Sequence, residues 1–145
     1  EFLPERYESG TPNIPGIAAL AQSVGFIEKM GLESIRRHEA GLLSMLLEGL
    51  TGLPDLVIHG PGDPQLQLAV LSFTVEGMDP AEVSGYLEET AGIRVRIGLH
   101  CSPFSHKTIG TYPEGTVRVS PGIYSTEKDI QAVVSGVRGL LAVKR

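Results

Sequence analysis

The chain has 145 residues, 41% hydrophobic and 20% charged, with 18 glycines, 10 prolines and a single cysteine. That length and balance predict one globular domain with its own core and exclude disordered or collagen-like chains. The formal charge of −5, with lysines and arginines scattered, argues against a nucleic-acid partner. No apolar run reaches the ~20 residues that span a bilayer, and the start Glu1-Phe2-Leu3-Pro4-Glu5-Arg6 lacks the regions of a signal peptide. A cytoplasmic protein without membrane attachment is expected.

The lone Cys101 excludes an internal disulfide framework and a cysteine-paired zinc motif. Pro4, Gly10, Pro12, Pro15 and Gly16 crowd the start, an unusual opening for a complete domain. Helical spacing then begins with Ile17, Leu20, Ala21, Val24, Ile27 and Met30 and ends at Gly31. A second helix after Leu32 carries the stripe Ile35, Leu42, Leu43, Leu46, Leu47 and Leu50, closed by Gly52 and Pro54. That stripe reads first as core and second as a dimer or interdomain surface.

Short runs at 56–58 and 66–75 read as strands around the turn-forming linker His59-Gly60-Pro61-Gly62-Asp63-Pro64. Asp79-Pro80 caps a short helix carrying Val83, Tyr86 and Leu87, which stops near Gly92. Residues 93–97 alternate as a half-buried strand, 98–114 form a polar loop, and 116–120 are another strand. Ser125-Thr126-Glu127-Lys128-Asp129 opens a last helix with Ile130, Val133, Val134, Val137 and Leu141 as its stripe. This order predicts an α+β fold, a small, mostly antiparallel sheet with helices packed on one face. The pattern divides into a Pro- and Gly-rich loop at 1–16, helices at 17–52 and a mixed strand and helix region at 53–145.

The segment Arg96-Ile97-Gly98-Leu99-His100-Cys101-Ser102-Pro103 concentrates the chemistry. It sets a thiol just past a strand, beside an imidazole and near a guanidinium, and positive charge favours the nucleophilic thiolate. A lone cysteine is also a small buried hydrophobe in many folds, so burial is the alternative reading. His59, His100 and His106 show no metal-ligand spacing, and no metal is expected. Arg118, mid-strand in Thr116-Val117-Arg118-Val119-Ser120, must face solvent or find an anion, and its planar fork of donors suits a carboxylate or phosphate. Gly10-Thr11-Pro12-Asn13 ahead of a helix offers either a phosphate seat or ordinary capping chemistry.

Taken in order, Tyr7-Glu8-Ser9-Gly10-Thr11-Pro12-Asn13, the cysteine segment, Gly115-Thr116-Val117-Arg118-Val119-Ser120 and Tyr124-Ser125-Thr126-Glu127-Lys128-Asp129-Ile130 resemble the C-terminal third of a cysteine desulfurase of the class V aminotransferase family. The proline follows Cys101 one position earlier than in the Cys-x-x-Pro form. The resemblance implies an interdomain loop at 1–16, long connecting helices at 17–52 and, at 53–145, the small domain of a fold-type I pyridoxal-phosphate enzyme that takes sulfur from L-cysteine, leaving alanine and an enzyme persulfide. It implies Cys101 as catalytic nucleophile, Arg118, Arg96 and His100 as substrate-binding residues, and Gly10 and Thr11 as the segment that reaches the cofactor phosphate of the other subunit in a homodimer. A sulfur-acceptor protein is a further implied partner.

The family's Ser-x-His-Lys cofactor motif precedes this region. Ser105-His106-Lys107 imitates it but follows the cysteine, so Lys107 is rejected as the cofactor lysine. The chain is accordingly expected to be part of a larger enzyme, inactive alone and without bound pyridoxal phosphate. The alternatives are another class V reaction (aminotransferase, epimerase or selenocysteine lyase) and a non-catalytic interaction domain that binds a partner through its leucine stripe.

Overall fold

The computed structural model describes residues 2–7 and 10–144; Glu8 and Ser9 of the opening motif, and the end residues Glu1 and Arg145, lie outside the described residues. The chain divides into two compact units, Glu1–Arg36 and Arg37–Arg145. The division falls inside a helix, ahead of the break at Gly52 and Pro54 from which residues 53–145 were expected to form the small domain.

In the first unit a short 3-10 turn, Glu5–Tyr7, precedes helix α1, Ile14–Met30. The helix starts three residues before the first apolar position of the predicted stripe because Asn13 caps it. Its side chain accepts the Gly16 N–H at 3.1 Å, and Pro15 occupies the first turn, where a missing N–H costs nothing. The Gly31 N–H donates to the Ile27 carbonyl and closes the helix. No residue of α1 is buried, its apolar stripe included.

Helix α2, Leu32–Leu50, delivers its leucines to the second unit. There follow β1 (Leu56–His59), β2 (Leu71–Val75), α3 (Pro80–Ala91), β3 (Arg96–Gly98), α4 (Pro103–Thr108), β4 (Thr116–Val119) and α5 (Glu127–Lys144). The four strands form one antiparallel sheet in the order β1-β2-β4-β3. Strand alternation sorts its residues. Leu71, Phe73, Val75, Val117 and Val119 are buried in one core with Leu43, Leu46 and Leu50 of α2, Val83 and Leu87 of α3, and Ile130, Val137 and Leu141 of α5. Each fully buried side chain of this kind contributes ~1.5–3 kcal/mol relative to exposure. The α+β fold with helices on one sheet face is therefore the observed architecture.

The leucine stripe is core: Leu42, Leu43, Leu46, Leu47 and Leu50 are at most 8% exposed. It is not available to a partner, which overturns the interaction-domain alternative in the form stated above.

Three local expectations are corrected. Residues 66–70 are not strand; Leu66 and Leu68 are exposed. The Gln67 side chain holds this segment as a turn, accepting from the Gly62 N–H and donating to the Val70 carbonyl. The strand expected at 93–97 is Arg96–Gly98, because the Ile93 N–H is committed to the Leu87 carbonyl in the close of α3. The expected loop at 98–114 contains α4, with Pro103 in its first turn.

The sheet face opposite the core is polar. Pairing aligns His59 with Ser72, Ser72 with Arg118 and Arg118 with Arg96, one row across all four strands. Thr74 and Thr116 share that face, two residues along their strands from Ser72 and Arg118.

Candidate active site

The chain leaves β3 at Gly98 and turns back at once. Gly98 has φ 92°, His100 φ 49° and Cys101 φ 63°, and the Ser102 N–H donates to the Leu99 carbonyl at 2.8 Å. Left-handed geometry costs a non-glycine residue ~1–2 kcal/mol, so two in succession need anchoring from outside the loop. Gly115 supplies part of it. At φ 85° it lies so close to Gly98 that a Cβ there would sit 2.2 Å from the Gly98 carbonyl carbon and oxygen. The exit of β3 is thereby pressed backbone to backbone against the entrance of β4.

At the turn's apex Cys101 is an exposed free thiol, not a buried hydrophobe. Arg96 Nη2 donates to its sulfur at 3.6 Å. Arg96 stands directly opposite Arg118. Neither guanidinium has an acidic partner among the described residues, although like charges in register repel. Arg118 is half-buried, and its Nε is buried without a hydrogen-bond partner. Two arginines thus stand side by side with no acidic side chain paired to either among the described residues, and one of them holds a buried unpaired donor.

The His100 ring turns back to the sheet, with Nε2 3.1 Å from Thr116 Oγ1, while Nδ1 is buried and unpartnered. Burial, followed by the charges of Arg118, His106 and Arg96, holds this imidazole below its ordinary value of 6.5, opposed by the Thr116 backbone. His106, reached through α4, packs its ring 5.7 Å from that of His100 and is fixed by Thr111 Oγ1 at 2.7 Å from its Nδ1. His59 pairs with Thr74 Oγ1 at 3.0 Å and is lowered by burial and then by His106.

Of the residues singled out from the sequence, Cys101, Arg96, His100 and Arg118 thus come together at one end of the sheet. Gly10 and Thr11 belong to the first unit, where both are exposed. Lys107 lies on the exposed side of α4, its ammonium over the rings of Phe104 and Tyr112 at 5.5 and 4.9 Å. No group of three metal-ligating side chains occurs among the described residues, and no helix there is long and apolar enough to cross a membrane. The sequence reading assigns no place at this site to Thr116, His106, Thr111 or Gly115. Strand alternation places Thr116 on the Arg118 face, and Ser102-Pro103 is a readable helix start that would have brought His106 in.

The Aminotransferase class-V family model matches residues 1–133. The chain is 35% identical over 132 residues to a probable cysteine desulfurase of Methanothermobacter thermautotrophicus, covering 90% of this chain and 32% of that protein. It is 34% identical over 134 residues to a cysteine desulfurase of Cronobacter sakazakii, covering 92% and 32%. The apo structure of a cysteine desulfurase from Thermococcus onnurineus NA1 superposes with a TM-score of 0.88 at 35% identity, over 96% of this chain and 34% of that one. The Escherichia coli cysteine desulfurase CsdA, at 24% identity, shares the fold with a TM-score of 0.86 over 99% of this chain and 34% of that one. The chain spans about a third of the length of the curated relatives it matches.

Proposed function

We propose, from the premise that this chain belongs to the class V aminotransferase family, that it is the cysteine-bearing small domain of a pyridoxal-phosphate-dependent cysteine desulfurase. The observation that carries the reading is the exposed Cys101 thiol on a strained turn, with the Arg96 guanidinium on its sulfur and the unpaired Arg118 guanidinium across the strand pair. Arg118 grips the carboxylate of L-cysteine through a two-pronged hydrogen bond, which fixes the amino acid so that its sulfur faces the turn. The Cys101 thiolate attacks that sulfur. A sulfur–sulfur bond forms, the carbon–sulfur bond breaks with its electron pair left on carbon, and protonation of that carbon yields alanine while Cys101 keeps the persulfide. Arg96 faces negative charge on sulfur before and after the step.

Pyridoxal phosphate, when bound, supplies the electron sink for the carbon that loses sulfur. A threonine hydroxyl beside a glycine suits a phosphate, so Thr11 and Gly10 are the residues of this chain that would hold that group, reaching the other subunit of a homodimer. Both residues are exposed, and Gly10 has open space where a Cβ would stand. A sulfur-acceptor protein and a cytoplasmic setting complete the reading.

The test is Cys101→Ala in the full-length enzyme. Sulfur release from L-cysteine is lost while cofactor binding persists, and the wild type incubated with cysteine gains the mass of one sulfur on the Cys101 peptide. Unchanged alanine formation in the variant would assign the protein to another class V reaction.

A further inference from the structure

The cysteine turn depends on a residue outside its own segment. Thr116 is fully buried at the start of β4, and its hydroxyl is the hydrogen-bond partner of the His100 ring. We propose that Thr116 is a positioning residue: it fixes His100 as the neutral tautomer with its hydrogen on Nε2 and an open lone pair on Nδ1, and so anchors the Cys101 turn to the sheet. The proposal rests on the reading of Cys101 as nucleophile.

Three observations support the tautomer. Nδ1 is buried without a partner, and an orphaned buried N–H is rarer in native structures than an under-satisfied acceptor. The lone pair therefore belongs on Nδ1 and the hydrogen on the nitrogen that has a partner. Nε2 faces the Thr116 hydroxyl at 3.1 Å, and the hydroxyl oxygen has lone pairs that can accept the ring hydrogen. The charged and titratable groups around the ring are Arg118 of β4, Arg96 of β3 and His106 of α4, and each disfavours a second proton on it. The neutral ring can then donate to Thr116 and add no third cation beside the two guanidiniums.

The link to the turn is geometric. His100 and Cys101 are consecutive left-handed residues, a conformation the chain relaxes from unless it is held. Behind them the backbone contact of Gly115 with Gly98 fixes the hinge, and the Thr116–His100 bond fixes the apex. Both anchors are neighbours in sequence, Gly115 and Thr116, so the residue before β4 and the first residue of β4 govern where the thiol stands.

The test uses the 145-residue chain with 15N-labelled histidine, the His100 signals being assigned by their loss in His100→Phe. Near neutral pH, correlation spectra of the wild type show His100 with its hydrogen on Nε2 and an unprotonated Nδ1. In Thr116→Val, which keeps the volume and removes the hydroxyl, the ring becomes a tautomer mixture and alkylation of Cys101 by iodoacetamide slows about three-fold or more; Thr116→Ser restores both. A wild-type ring with its hydrogen on Nδ1, or one doubly protonated near neutral pH, overturns the proposal and needs no variant, so it decides even if Thr116→Val does not fold. Retention of the wild-type tautomer and alkylation rate in a folded Thr116→Val overturns it as well. Neither readout uses sulfur release, so a Cys101→Ala parent that still releases sulfur would defeat the reading of Cys101 and leave the Thr116 measurement standing.

Discussion

The Arg118 side chain is not satisfied by the described residues of this chain. Its Nε is dry and unpaired, and its cross-strand neighbour is another arginine. A hydrogen bond to a charged group is worth ~1.5–3 kcal/mol, so Arg118→Ala in the full-length enzyme raises KM for amino-acid substrates by about 10- to 100-fold. Steady-state kinetics checks this, and an unchanged KM returns Arg118 to an ordinary strand face. Arg118→Lys recovers little, because a point charge does not replace the planar fork. The histidines give a second prediction. His59 and His100 are both held below 6.5, so on acidification the unfolded chain takes up these protons before the folded one. Stability is unaffected well above 6.5, falls as pH drops through it, and stops falling below the folded values. Urea unfolding followed from about pH 7.5 to 5.5 shows this slope, and His59→Gln with His100→Gln flattens it. The mid-strand position of Arg118 is legible in the sequence because Val117 and Val119 flank it with the opposite periodicity. The paired roles of Thr116 and His106 are not, since a threonine in a strand and a histidine in a polar segment have many harmless placements, and the side-chain pairs that distinguish them join residues 16 and 5 positions apart.

At the level of elements, the contact between β3 and β4 sets the site, and glycine makes it possible. Gly115 combines φ 85° with a missing Cβ whose place is taken by the Gly98 backbone. Gly115→Ala must therefore move a strand end, because the obstacle is main chain and cannot rotate away. A cost of about 1–3 kcal/mol is expected from the overpacking, together with loss of the Arg96–Cys101 contact. The urea midpoint and the rate of Cys101 alkylation measure the two effects, and a variant matching wild type in both would show the approach to be soft. Helices with strong local signals were readable at this scale: Asp79 and Glu82 form a capping box at α3, and Gly92 ends it in the left-handed conformation. Residues 66–70 misled because their alternation is that of a strand, while the backbone there is engaged by the Gln67 amide over a span too short to register as hydrophobic period. Helix α4 was hidden by its length. Six residues with only His106 buried show no apolar stripe, and its one signal is the Ser102-Pro103 start.

For the molecule as a whole, the core and the candidate site lie within one unit. Every buried apolar side chain among the described residues falls between Leu42 and Leu141, and Cys101, Arg96, His100 and Arg118 stand on the sheet that this core supports. Helix α1 buries nothing and contributes no residue to that cluster. A chain of about 110 residues that keeps most of α2, all of α3, α4 and α5 and the four-stranded sheet is within the size that folds without staples. Residues 37–145 expressed alone should then fold cooperatively, with a urea midpoint close to that of the 145-residue chain and Cys101 alkylated at the same rate. The shortened chain should also be the more soluble of the two, since it lacks the exposed Ile17, Leu20, Val24 and Ile27 of α1. If removal of residues 1–36 instead abolishes the cooperative transition, the first unit is required for the fold of the second. If it leaves the transition intact but changes the alkylation rate, the geometry of the cysteine turn is not set by β3, β4 and α4 alone, and the anchoring assigned to Gly115 and Thr116 is incomplete.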